Sequence, residues 1–174
     1  AVLYAQEYDI TIGLLSSTGV SGVVMAIGVL GASGTTILVG RYSDQLSNRA
    51  LITVPALIVL AAGFSLLVVL PTLAGVVAAV ALIGIGVGGA NPPLMAYLGD
   101  ISPADDVGKL GGVYNVFGDL GSTLGPLVAL PLIAWVGFTA EYLACALLAL
   151  GASVLVSRTL LGDQTPTDAV PASE

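Results

Sequence analysis

Apolar residues along this chain run in long blocks instead of alternating with polar ones. No Asp, Glu, Lys or Arg occurs in 10–40, 50–99, 120–140 or 142–157. Crossing the hydrocarbon core of a bilayer takes roughly 20 mostly apolar helical residues. The blocks and their flanks therefore predict five crossings, over about 11–39, 51–70, 73–97, 109–134 and 139–160. Residues 1–6 read as the stub of another helix. The second and third crossings are parted by Leu70, Pro71 and Thr72. Because Pro71 suits the first turn of a helix, these two are expected to form an antiparallel pair with a tight turn between them.

Composition agrees with this pattern. Of the 174 residues, 56% are hydrophobic and 9% charged, and the mean hydropathy is +1.03. A soluble domain of this size exposes too much surface to give five such helices polar cover. The first residues have no basic segment ahead of an apolar core, so they do not read as a signal peptide. They read as a chain entered in mid-helix. The absence of His and the presence of a single Cys, Cys145, exclude a Ser-His-Asp triad, a Cys/His zinc site and a disulfide within the chain. No cofactor or metal is expected. A net charge of -7 with four basic residues argues against nucleic acid as a partner. The bilayer and a small-molecule solute remain the expected partners.

The basic residues orient the helices. Arg41 and Arg49 follow the first crossing, Lys109 precedes the fourth and Arg158 ends the fifth, so all four fall on one side of the membrane. By the positive-inside rule that side is cytoplasmic, and the Pro71 turn and Glu141 lie outside. A multi-pass protein of the cell membrane with a cytoplasmic C-terminus is expected. Tyr4, Tyr8, Trp135, Phe138 and Tyr142 near the outer ends, and Tyr42 and Tyr97 near the inner ones, read as interfacial anchors. Residues 161–174 are polar and acidic and contain Pro, and they read as a disordered tail.

Lipid gives helices no hydrophobic reason to associate, so small residues that let backbones approach have to do it. Gly84 and Gly88 have small-xxx-small spacing, as do Gly121 and Gly125. Pro92 and Pro93 deprive two backbone carbonyls of their helical partners and predict a kink. The neighbouring Asn91 amide is placed to satisfy one of them.

The loop between the first two crossings carries Gly40, three residues, Asp44 and then Arg49. It resembles the cytoplasmic loop signature of the major facilitator superfamily, although Gln45, Ser47 and Asn48 stand where that pattern has basic residues and a second glycine. In the fourth crossing, Gly112, eight residues, Gly121, three residues and Gly125-Pro126 resemble the antiporter motif of the same family, with Ala129 and Leu130 in place of its trailing glycine pair. The order of parts over 1–160 follows suit. The resemblance implies an all-α integral membrane fold, with residues 1–160 forming part of one six-helix half of a transporter. Absence of Arg in the third crossing favours the C-terminal half over the N-terminal one. It further implies that the missing half is a partner, that Gly40, Asp44 and Arg49 form a cytoplasmic gate loop, and that Gly112, Gly121, Gly125 and Pro126 form a helix-packing motif.

Asp119 is the chain's deepest charge. Counting about 1.5 Å per residue from Lys109 puts it some 15 Å into the membrane. An ionisable residue there is costly unless it faces protein or water, so it is a default candidate for a proton relay or a solute contact. Asn115, Asp119, Ser122 and Pro126 recur at i, i+4, i+7 and i+11 and form one stripe. Asn91 is a weaker candidate. Two readings of Asp119 stand side by side: a functional carboxylate, or one that fixes packing through Ser122, Thr123 or a neighbouring helix. For the whole chain, transport of a small solute by alternating access, with proton-coupled efflux as one form, stands beside a small helical membrane protein with a structural or assembly role. A membrane enzyme is disfavoured, because a lone deep carboxylate leaves its chemistry unspecified.

Overall fold

The computed structural model describes residues 17–43, 49–103 and 105–162, and contains no strand among them. The first helix, α1, covers Ser17–Ser43. One 3-10 turn, Arg49–Ile52, leads into α2, Thr53–Val69. Helix α3 covers Leu73–Ile101, and α4 covers Val107–Gly162 with a break at Gly137. Helix covers the described part of each of the five expected segments, the first from Ser17 and the last two joined through that break. The stub at 1–6, Asp44 and the tail from 163 lie outside the described residues.

Lengths fit a bilayer. Helices α1, α3 and α4 contain stretches long and apolar enough to cross one, and α2 is a shorter apolar helix. Its 17 residues rise about 25 Å and the 3-10 turn adds about 8 Å, which together match a hydrocarbon core about 30 Å thick. Unbroken, the 56 residues of α4 would extend about 84 Å, far more than one crossing needs. Gly137, at φ 80° and ψ 167°, divides it into limbs 107–136 and 138–162. That conformation is open essentially to glycine alone.

Helix α3 is the centre of the bundle. Against α1, a Cβ placed on Gly84 would overlap the Gly28 carbonyl, and one on Gly88 would overlap the Ala32 carbonyl. Against α2, a Cβ on Gly86 would lie 2.7 Å from Leu60 Cβ, and one on Gly63 would lie 3.0 Å from the Ala79 carbonyl. The pairings rise together along α1 and α3 and run in opposite senses along α2 and α3. The three helices thus alternate up and down as the charges required. Val24, Leu67, Val76 and Ala79 form the buried core near the Pro71 turn, with Phe64, Phe138 and Tyr142 packed against it.

Several local expectations need correction. Pro71 does not open α3. Thr72 does, its hydroxyl accepting from the Gly75 amide at 3.2 Å. The hydroxyl satisfies an amide that has no helical acceptor, which no residue at Pro71 could do from one position further out. Phe138 and Tyr142 also take part in packing at the outer end of the bundle. Tyr142 stacks on Phe64 at 6.4 Å and on Phe138 at 6.1 Å between ring centroids, because the 138–162 limb packs against α2. Trp135, at 90% exposure, does stand clear of the bundle. Glu141 is half-buried, with Oε2 shielded and without a hydrogen-bond partner among the described residues.

If backbone contact at α3 holds the bundle together, Gly84→Ala and Gly88→Ala should each destabilise the protein by about 1–3 kcal/mol through overpacking. Gly34→Ala, whose Cβ meets nothing within 4 Å, should be neutral or slightly stabilising. Thermal unfolding of the purified protein in detergent checks this. Equal melting temperatures for the three variants would contradict it.

Candidate transport site

The segment around Asn91 is built on a backbone defect. Proline at 92 has no N–H to give to the carbonyl four residues back, which belongs to Gly88. In the structure Thr36 of α1 supplies the missing donor, its Oγ1 giving a hydrogen bond to the Gly88 carbonyl at 3.1 Å. Gly88 itself lets α1 come close enough for this, since a larger residue there would meet Ala32. The expectation that the Asn91 amide satisfies a freed carbonyl is therefore replaced for Gly88 by a bond from the neighbouring helix. The α-helix passes through both prolines to Ile101.

Asn91 is occupied elsewhere. Its Oδ1 accepts from the Tyr114 hydroxyl at 2.9 Å, linking α3 to the first limb of α4. Asn91 is exposed and Pro93 is buried, so the pair sits at the edge of the bundle, where the 107–136 limb begins its run. Before it, the chain turns through Pro103 and Asp106. The Asp106 amide donates to the Pro103 carbonyl at 2.9 Å, and Lys109 Nζ pairs with Asp106 Oδ1 at 2.6 Å.

The 107–136 limb carries the polar stripe. Asn115, Asp119 and Ser122 are all exposed. Ser122 Oγ donates to the backbone carbonyl of Asp119 at 3.0 Å, and the Asp119 carboxylate has no partner among the described residues. Of the partners in the packing reading, Ser122 thus bonds the backbone of Asp119 and not its carboxylate. A helix whose other exposed residues include Phe117, Leu120 and Leu124 presents a free carboxylate on one side. In lipid such a group needs protein or water over it.

Gly112, Gly121 and Gly125 have nothing within 4 Å of where a Cβ would be, and Pro126 is exposed. The close approach expected of this motif is made within the described residues by the glycines of α3 instead. Of the loop residues, Gly40 sits in the last turn of α1 and Arg49 begins the 3-10 turn. Sequence reading missed Thr36 and Tyr114. Thr36 was findable from the missing N–H of Pro92, which demands a donor from a neighbouring helix. Tyr114 had a weaker signal: it heads a stripe with Gly118, Gly121 and Gly125 at i, i+4, i+7 and i+11, beside the polar one.

These features define a helical membrane protein with a polar stripe on an uncovered limb. The family model of the Major Facilitator Superfamily matches residues 2–174, and the chain belongs to that superfamily. It is a family of membrane transporters of small solutes, not of enzymes. No curated protein and no solved structure matches the chain.

The Thr36 bond is testable by a double-mutant cycle. Thr36→Val should cost about 1–3 kcal/mol, since it leaves the Gly88 carbonyl unsatisfied in an apolar setting. In a Pro92→Ala background the same change should be nearly neutral, because the restored N–H serves that carbonyl. Additive losses in thermal unfolding would contradict the assignment.

Proposed function

We propose that this chain is part of the C-terminal half of a secondary transporter that moves a small solute by alternating access, with Asp119 lining the pathway and exchanging protons there. The observation that carries this reading is the unpartnered, exposed Asp119 carboxylate near the middle of an apolar limb. The costs of a bare charge in hydrocarbon require a polar surface opposite it. In an intact transporter that surface is the solute pathway between this half and the other, where discontinuous helices and polar groups meet near the midplane. Asn115 and Ser122 on the same stripe supply neutral hydrogen-bonding groups for a solute or for ordered water, and Asn91 of α3 lies beside the same limb at Tyr114.

The loop residues fit a second part of the cycle. Gly40, Asp44 and Arg49 lie at the end carrying all four basic residues, which is the cytoplasmic end by the positive-inside rule. There Asp44 and Arg49 pair with groups of the other half in one access state and release them in the other. The C-terminus then lies in the cytoplasm of a cell-membrane protein. Family membership favours transport over a purely structural role.

In the intact protein reconstituted into vesicles, Asp119→Asn should lower proton-driven transport by about 100-fold or more, the scale of losing a positioned proton-transfer group. The yield of folded protein should not change. Transport that keeps its rate and its pH dependence in this variant would refute the relay.

A further inference from the structure

We propose that Tyr114 and Asn91 are a positioning pair, whose hydrogen bond sets the rotation of the 107–136 limb about its own axis and so fixes the direction in which Asp119 points. The inference deepens the transport reading and rests on it for what Asp119 does. The geometry is independent of that reading. The Tyr114 hydroxyl donates to Asn91 Oδ1 at 2.9 Å, so the Tyr114 side chain is directed at α3. An α-helix turns by about 100° per residue. With Tyr114 on α3, Asn115 lies about 100° round the limb, Asp119 about 140°, Ser122 about 80° and Pro126 about 120°, all in the same sense. One contact therefore aims the whole polar stripe to one side of α3.

The direction set at Tyr114 reaches Asp119 intact. No proline stands in 107–125, and the backbone of α4 is helical up to Gly137. Asp119 is five residues from Tyr114, about 7.5 Å along the axis. Ser122 adds a bond of its own inside this stretch, from Oγ to the Asp119 carbonyl at 3.0 Å. Both ends of the Tyr114 contact are firm as well. Asn91 precedes the double proline, where Pro93 is fully buried and the freed Gly88 carbonyl is tied to α1 through Thr36. The tyrosine ring has two side-chain torsions and so transmits direction with little play.

A polar contact is needed for this task because of the solvent. Lipid tails are as apolar as Phe117, Leu120 and Leu124, so no hydrophobic force selects one rotation of such a helix over another. A hydrogen bond between side chains does select one, as a single polar residue fixes the register of paired helices. The bond is made wholly within this chain and holds whatever else covers the limb.

The test is made in vesicles holding the intact protein, with Cys145→Ala and any other cysteine replaced. A charged, membrane-impermeant thiol reagent is applied to Asp119→Cys and, separately, to Phe117→Cys, which lies about 200° round the helix from position 119. Each is measured alone, then with Tyr114→Phe, then with Asn91→Leu. Turning position 119 out of water removes the reactive thiolate, so either variant should lower the ratio of the rate at 119 to that at 117 by about tenfold or more. Tyr114→Phe deletes one oxygen and should leave the yield of folded protein unchanged. A general loosening of the limb would raise both rates together and would overturn the pairing. So would a ratio that stays at the parent value in both Tyr114→Phe and Asn91→Leu. The parent ratio tests the transport reading and the change in ratio tests the positioning pair, so the two fail separately.

Discussion

Everything in this bundle depends on how closely α3 lies against its two neighbours. In water, burying leucine would draw helices together, but in lipid the tails are as apolar as the side chains and that force is lost. What remains is dispersion between backbones, and it grows only when nothing larger than hydrogen stands between them. Gly84 and Gly88 on one side of α3, with Gly86 on the other, meet that condition against the backbones of α1 and α2. Larger core side chains such as Phe64, Leu67 and Tyr142 gather instead at the end of the bundle near the Pro71 turn.

Close approach also solves the problem that the prolines create. An α-helix in lipid can lose a backbone hydrogen bond only if a neighbour replaces it. Gly88 is at once the residue whose carbonyl Pro92 strips of a partner and the residue whose missing side chain admits α1. Thr36 can reach that carbonyl only because the backbones nearly touch. The defect and its repair are thus a single packing arrangement. It leaves the Asn91 side chain free to face the limb that bears the polar stripe.

Much of this was legible in the sequence. The uncharged blocks set the number of helices, because charge is so costly in hydrocarbon that its absence marks a crossing. The four basic residues gave an alternating order that the helix pairings reproduce. The spacing of Gly84 and Gly88 showed a close-packed face, though not which helix it meets, since spacing on one helix says nothing about its partner. The missing N–H of Pro92 likewise called for a donor without naming the helix that supplies it, and partner choice turned Asn91 towards Tyr114. Gly137 was not distinguished from the chain's other glycines, because its positive φ is imposed by where the two limbs of α4 must go. The free face of the Gly112, Gly121 and Gly125 helix had no signal either, as a glycine motif reads the same whether or not its partner is present.

The central claim is that Asp119 faces a water-accessible pathway and not lipid. It is tested most directly by asking which side of the 107–136 limb water reaches. In vesicles holding the intact protein with Cys145→Ala, a charged, membrane-impermeant thiol reagent would be applied to Asp119→Cys and to Phe117→Cys, which lie on opposite faces of the helix. Modification should be rapid at position 119 and almost absent at 117. Modification at 117 with protection at 119 would mean that the stripe is turned away from any pathway, and the reading of this limb as a transport surface would fail.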